Sequence, residues 1–254
     1  MRKHAVFLGL DYDGTLTPIA QYPSMAKLSS KHRKILRDLN LLRDLKICIL
    51  SGRPVKEIKG LVNIPKMIYA GNHGFELEGP YLHWVHPGAV KAKKLLKRLA
   101  VRLENGLRSV QGVYVENKTY TLSIHYRQVP RDKIQKAKST FLRLVARHVQ
   151  SGHVLITEGK KVWEIRPAIP WNKGHIVRWL LDHKKDTASR RALPIYIGDD
   201  RTDEDAFKAL GRKGVTVKVT AQKDQASAAR FWLRSPQEVF IFLNKIKAAW
   251  KTAV

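Results

Sequence analysis

The chain holds a single cysteine and is poor in acids, with 21 Asp and Glu against 48 Lys and Arg. One thiol excludes an internal disulfide. Cys48 lies inside the apolar run Leu45-Lys46-Ile47-Cys48-Ile49-Leu50 and is read as an inert thiol in a buried strand. No stretch approaches the roughly 18 apolar residues that a membrane span needs, and no internal repeat is visible. The 16 glycines and 11 prolines are ordinary for 254 residues, which excludes collagen-like and low-complexity chains. The basic start Met1-Arg2-Lys3-His4 leads into an apolar run that ends at Asp11, too short for a secretory signal. The expectation is a cytoplasmic, monomeric protein with no membrane partner.

What the chain does have is enough apolar residue for a sizeable core, 44% of the total, and a formal net charge of +27. That balance favours anionic partners: phosphorylated metabolites, nucleic acid or a charged surface. It does not choose among them. Between Val90 and Pro170 there are 18 Lys and Arg against 5 Asp and Glu, so the middle of the chain is the most basic part. Leu96, Leu99, Leu103 and Leu107 fall on one side of a predicted helix there, and lysines fill the rest as a solvated face.

The run Ala5 to Leu10 reads as a buried strand entering a tight turn at Asp11-Tyr12-Asp13-Gly14-Thr15-Leu16. Pro18 to Lys27 is read as a loop, and Ser29 or Ser30 as the cap of a helix with Ile35, Leu36, Leu39 and Leu42 inward. A second strand, Lys46 to Leu50, ends in Ser51-Gly52-Arg53, with Pro54 opening the next helix. Strand, helix and strand in this order imply a parallel sheet whose ligands bind beyond the carboxyl ends, so Asp11 and Ser51 should face one crevice. Met67 to Ala70 reads as a third strand, followed by a hairpin of Phe75 to Glu78 and Tyr81 to Val85.

From Pro87 the pattern changes to helix (Val90 to Leu107), hairpin (Gly112 to Glu116, Tyr120 to Tyr126), helix (Arg131 to Val149) and hairpin (His153 to Thr157, Val162 to Arg166). This is an α+β module inserted into an α/β one, with residues 88–170 as the insert and 1–87 with 171–254 as the core. The core resumes with a helix at Trp171 to His183 and a strand at Pro194 to Ile197. The acidic turn Gly198 to Asp205 leads into a helix through Ala206, Phe207 and Leu210. Gly214 to Val219 is the last core strand, and Ser235-Pro236 opens a helix to Trp250.

Carboxylates at the mouths of buried strands need a partner or a metal. Asp199, Asp200, Asp203, Glu204 and Asp205 repel one another within seven residues of a very basic chain, and a divalent cation would explain them. Asp11 is placed to act as a nucleophile, and Asp13 to carry a proton to the leaving oxygen and back from water. Ser51 can donate to a phosphoryl oxygen, and Lys173 at a helix start can hold both phosphate and Asp11. Magnesium fits Asp11, the backbone carbonyl of Asp13 and Asp199, with Asp200 and Asp203 in support.

Asp-x-Asp-Gly-Thr, Ser51, Lys173 and Gly-Asp-Asp-x-x-Asp, in that order, resemble the four motifs of the haloacid dehalogenase-like phosphohydrolases. The resemblance implies a Rossmann-like parallel-sheet core with an inserted α+β cap, Mg2+ and an aspartyl-phosphate intermediate. Ser51-Gly52-Arg53, Gly71-Asn72-His73-Gly74, His125-Tyr126-Arg127, Gly159 to Pro167 and Gly198 to Phe207 are similar to the trehalose-6-phosphate phosphatase family almost end to end. That likeness implies hydrolysis of trehalose 6-phosphate, the last step of trehalose biosynthesis, with a mobile cap closing over the disaccharide. It brings in Arg53, Asn72, His73, Glu116, Lys118, Arg127, Lys160 and Glu164 as substrate contacts, His73 without a catalytic part. Read without the family, the alternative for the cap carboxylates and ammonium groups is a cross-strand ion pair of Glu with Lys.

Two alternatives stay open. One is a related phosphatase acting on sucrose, mannosyl or hexose phosphates. The other is a non-catalytic anion or nucleic-acid binder on the same fold, against which the intact Asp11, Asp13, Lys173 and Asp199 and the lack of an aromatic stacking stripe both count. Nucleic acid is therefore not expected as a partner. No synthase module accompanies these motifs, so the chain is expected to act alone, and the +27 is not explained by one phosphorylated disaccharide.

Overall fold

The apolar run that ends at Asp11 forms strand β1, Val6–Asp11, and all six of its residues are buried. A strand without polar alternation must be covered on both faces, which is the position of a central strand in a parallel sheet. β1 pairs in parallel with β2 (Leu45–Leu50) on one side and with β10 (Leu193–Gly198) on the other. The computed structural model describes residues 5–20, 22–182, 192–222 and 226–252. These divide into two compact units, Met1–Trp84 with Trp171–Val254, and Val85–Pro170.

In the first unit, β1 and β2 are followed by β3 (Ile68–Gly71), β4 (Glu76–Gly79) and β5 (Leu82–Val85), and β10 by β11 (Val215–Val219) and β12 (Phe231–Leu233). The sheet order is β12-β11-β10-β1-β2-β3-β4-β5, with β4 antiparallel to β3. The order reverses between β1 and β10, and this switch point opens a crevice at the carboxyl ends of the strands. One face is covered by α1 (Ser30–Asn40), α2 (Val55–Val62) and the C-terminal helix, α7 (Pro236–Thr252), through Leu36, Ile58, Val239 and Leu243. The other is covered by α5 (Lys173–Asp182) and α6 (Asp203–Leu210), through Ile176, Val177 and Phe207. Cys48 is buried, and burial pushes its thiol well up.

Local chemistry sets the element ends. Ser29 Oγ accepts from the His32 N–H at 3.2 Å and caps α1. Asn172 Oδ1 accepts from His175 N–H at 3.1 Å at the start of α5. Trp171 Nε1 donates to the Gly74 carbonyl at 2.8 Å and ties that start to the turn after β3. Among the described residues no helix is long and apolar enough to cross a membrane.

The second unit is a sheet in the order β6-β7-β9-β8, from β6 (Tyr114–Asn117), β7 (Leu122–His125), β8 (Val154–Gly159) and β9 (Val162–Pro167). All pairs are antiparallel, so the two expected hairpins join into one sheet through β7 and β9. Helices α3 (Pro87–Leu107) and α4 (Ile134–Gln150) bury Leu96, Leu99, Leu103, Phe141 and Val145 with Leu122, Ile124, Trp163 and Ile165.

Several bounds differ from the sequence reading. α3 begins at Pro87 rather than Val90, because His86 Nδ1 accepts from Gly88 N–H at 3.1 Å and proline is suited to the first turn. A 3-10 turn, Arg131–Lys133, precedes α4, and another, Pro23–Met25, lies in the expected loop. α6 already starts at Asp203, so Asp203, Glu204 and Asp205 form its first turn, where carboxylates favour the helix dipole. β12 was not foreseen; three residues carry too little periodicity. His183, assigned to the α5 helix, lies outside the described residues.

Candidate active site

β1 ends in a turn that separates its two carboxylates. The ring of Tyr12 is buried and its hydroxyl donates to the Ala26 carbonyl at 2.7 Å. Side chains alternate along extended backbone, so anchoring Tyr12 in the core leaves Asp11 and Asp13 together on the other side. The Tyr12 carbonyl accepts from Leu16 N–H at 2.9 Å and Thr17 N–H at 3.1 Å, and Gly14 closes the turn at φ 90°. A Cβ at Gly14 would stand 2.2 Å from Asp199 Oδ2, so only glycine lets that carboxylate approach the turn.

Lys173, at the first position of α5, is 2% exposed and bonds both acidic motifs. Its Nζ donates to Asp11 Oδ1 at 2.6 Å and to Asp203 Oδ1 at 2.7 Å. Gly174 makes this possible, since a Cβ there would lie 2.4 Å from the Asp205 carbonyl oxygen and force α5 away from α6. Burial works to lower Lys173, but the charges of Asp11 and Asp203 override it and hold the ammonium well above its ordinary value. Burial raises Asp11 well above the usual carboxylate range, with Lys173 opposing and Asp203 and Asp199 adding to the rise. Asp203 is pushed up to about 6, chiefly by burial.

Asp11, Asp199 and Asp203 bring carboxylate oxygens within 4.8 Å of one another, a hard-oxygen set that fits a divalent cation. They are not equivalent. Asp203 Oδ1 accepts from Lys173 and, at 2.7 Å, from the Tyr196 hydroxyl; its Oδ2 accepts from the Asp199 and Asp200 N–H groups, both at 3.0 Å. Four donors fill the usual capacity of a carboxylate, so Asp203 is suited to hold the loop and Lys173 in place. Asp200 Oδ1 accepts from Thr202 N–H at 2.8 Å and Thr202 Oγ1 at 2.7 Å. Burial alone would raise Asp200, but Lys173 and these bonds hold it well below the carboxylate range.

Asp13 stands in a fork. Arg53 Nε donates to Asp13 Oδ2 at 2.7 Å and its Nη2 to Oδ1 at 2.6 Å, while its Nη1 pairs with Glu57. Arg53, expected at the substrate, is thus engaged with the expected proton carrier. Ser51 is buried after β2, and its Oγ accepts from Arg53 N–H at 3.1 Å. Asn72 and His73 are buried after β3; Asn72 Nδ2 donates to Glu76 Oε1 at 2.7 Å, and the His73 ring lies where a Cβ on Gly52 would stand, 2.6 Å away.

The remaining expected residues lie in the second unit. Glu116, Ser123, Glu164 and Thr157 are cross-strand partners and form one row over all four strands, on the face opposite the apolar one. Lys118 Nζ lies 3.9 Å from both Glu116 and Glu164, Arg166 Nη2 lies 2.6 Å from Glu164, and His125 Nε2 lies 2.8 Å from Glu116. Arg127 Nη2 donates to the Lys160 carbonyl at 2.8 Å, and both side chains are exposed.

Two participants were not identified from sequence, Tyr196 and Lys218, and Glu204 was legible only as one of the acidic cluster. Lys218 Nζ donates to Glu204 Oε1 at 2.8 Å and to the Asp200 carbonyl at 3.3 Å, while Glu204 Oε2 accepts from Ala228 N–H at 2.8 Å. They brace the acidic loop from behind. A buried lysine at the end of β11 and a tyrosine two residues before Gly198-Asp199 were the available signals.

Residues 9–237 match the family model described as trehalose-phosphatase. A curated trehalose-phosphate phosphatase of Mycobacterium marinum is 37% identical over 253 residues, which are 98% of this chain and 63% of that protein. A probable trehalose-phosphate phosphatase D of Arabidopsis thaliana is 34% identical over 261 residues, 97% of this chain and 68% of that protein. The chain thus spans a little under two thirds of its mycobacterial relatives, 63% and 61% in two of them. The solved C-terminal domain of the C. albicans trehalose-6-phosphate phosphatase superposes with a TM-score of 0.82 at 26% identity, over 96% of this chain and 93% of that one.

Proposed function

This chain belongs to the trehalose-phosphatase family, and we propose that it hydrolyses trehalose 6-phosphate to trehalose and phosphate in a Mg2+-dependent reaction. The observation that carries the reading is the buried contact of one ammonium, Lys173, with both Asp11 and Asp203 at the carboxyl end of β1. Asp11 and Asp199, with the backbone carbonyl of Asp13, would hold the cation, and Asp203 would order them. When bound, Mg2+ supplies positive charge that lets an anionic carboxylate meet an anionic phosphate.

The chain's own groups carry the reaction. An Asp11 oxygen attacks phosphorus as the bond to the sugar oxygen breaks, giving an aspartyl phosphate. Asp13 gives a proton to the departing sugar oxygen in its carboxylic-acid form, turned out of the Arg53 fork that engages both its oxygens at rest. Asp13 then takes a proton from water as that water attacks the aspartyl phosphate, releasing phosphate and restoring Asp11. Ser51 and Lys173 hold the phosphoryl oxygens. Arg53, Asn72 and His73 in the first unit and Glu116, Lys118, Arg127, Lys160 and Glu164 in the cap are assigned to substrate recognition.

The cap assignment has its own test. Glu164→Ala removes the carboxylate that Arg166 and Lys118 face, and is expected to lower kcat/KM for trehalose 6-phosphate by about 10²-fold while leaving p-nitrophenyl phosphate within about threefold. Equal losses on both esters would remove Glu164 from sugar recognition. The cation assignment is tested by Gly14→Ala. The strain of a non-glycine residue at φ 90° and the clash with Asp199 are expected to weaken Mg2+ binding, read by calorimetry, by about tenfold or more. Unchanged Mg2+ affinity would put the cation elsewhere.

A further inference from the structure

The net charge of +27 has no counterpart in the crevice, and it is unevenly placed. Residues 87–108 and 131–150, which hold α3 and α4, carry 13 Lys and Arg against two acids, Glu104 and Asp132. Both helices bury their apolar sides against the sheet. Lys91, Lys93, Lys94, Lys97, Arg98 and Arg102 of α3, and Arg143 and Arg147 of α4, are exposed. Among the described residues, Lys138 alone of the 13 has an ion-pair partner, Glu158 at 2.9 Å.

Charge from three elements gathers around His148. Arg98 and Arg102 stand one turn apart on α3, Arg147 and His148 lie in the last turn of α4, and His153 precedes β8. The rings of His148 and His153 are 6.1 Å apart. Burial, and after it the fields of His153, Arg102, Arg147 and Arg98, hold the His148 imidazole below its ordinary value. Its Nδ1 is out of contact with solvent and has no hydrogen-bond partner among the described residues. The dipole at the end of α4 favours Arg147 and His148. It does nothing for Arg98 and Arg102 in the middle of α3, and such a gathering of like charge is stabilised by an anion.

We propose that the outer surface of α3 and α4 is a docking face for the phosphate backbone of duplex nucleic acid, with Arg98, Arg102 and Arg147 at its centre. α3 has 21 residues and so runs about 31 Å, close to the roughly 34 Å of one duplex turn. Neither helix exposes an aromatic ring; Phe141, the aromatic residue they contain, is buried. That removes the stacking platform single strands use and the Trp and Phe anchors of a membrane-surface helix. The sequence expectation against nucleic acid rested on the intact Asp11, Asp13, Lys173 and Asp199 and on the missing stacking stripe; a catalytic crevice does not preclude a second face, and a duplex held by its phosphates needs no stacking. The face lies on the other side of the cap sheet from the row of Glu116, Ser123, Glu164 and Thr157, so the inference is independent of the sugar assignment.

Fluorescence anisotropy with a labelled random-sequence duplex of about 25 base pairs, from about 25 to 200 mM KCl, tests it. Affinity should fall with salt with a log-log slope of magnitude about 3 or more, and R98E/R102E/R147E should weaken binding at least about 30-fold and flatten the slope by about 3. K31E/K56E/K208E makes the same charge change at exposed positions of the first unit and should keep at least about half the affinity. If the first variant melts early by circular dichroism, R98Q/R102Q/R147Q replaces it, with a loss of about tenfold expected. Absence of binding at about 25 mM salt, equal losses from the two triple variants, or tighter capture by vesicles of about 30 mol % phosphatidylserine would each overturn the proposal.

Discussion

Asp11→Asn is expected to lower phosphate release from trehalose 6-phosphate by at least about 10⁴-fold, because an amide oxygen cannot form the acyl phosphate on which the two-step reaction depends. The folded state should tolerate the change. Asparagine keeps an oxygen where Asp11 Oδ1 now accepts from Lys173 at 2.6 Å, and Lys173 keeps its charge partner Asp203 at 2.7 Å. Lost turnover with little change in the urea midpoint would therefore locate the effect in the chemistry. Acid quenching of wild type with labelled substrate should trap phosphoenzyme, and the variant should trap none. Residual turnover above about 1% would assign the nucleophile to another group.

Lys173→Met should act on stability as well as on rate. It removes the ammonium that touches Asp11 and Asp203, both buried and both already raised by burial. Breaking a buried charge network from one side leaves uncompensated carboxylates, at a cost of about 3–5 kcal/mol. Urea denaturation at neutral pH without Mg2+ reads that loss directly. Millimolar Mg2+ should recover part of it, because a ligand of the folded state adds stability by mass action. A variant as stable as wild type without Mg2+ would mean that the lysine does not hold the two acidic motifs together.

Much of this site was legible because its residues contradict their surroundings. Asp11 ends a wholly buried strand, Ser51 follows another, and five acids gather in a basic chain, so each stood out against an apolar or cationic background. The parallel order followed from runs such as Leu45–Leu50 that have no polar face. What could not be read was which atom meets which. Asp203 was legible as a support of the metal site, but not as the acceptor of hydrogen bonds from Lys173, Tyr196 and two backbone N–H groups. That Arg53 also forks onto Asp13, across 40 residues of chain, was not legible. Glu204 stood among the clustered acids and Lys218 inside a predicted core strand, but their pairing behind the Asp200 loop comes only with the fold.

The central claim is most directly tested by phosphate release from trehalose 6-phosphate, sucrose 6-phosphate, mannosyl-3-phosphoglycerate and glucose 6-phosphate, each with Mg2+ and with EDTA. Trehalose 6-phosphate should lead in kcat/KM by at least about tenfold, and EDTA should abolish release from every ester. Sucrose 6-phosphate or mannosyl-3-phosphoglycerate turned over severalfold faster, or trehalose 6-phosphate hydrolysed as well in EDTA, would contradict it.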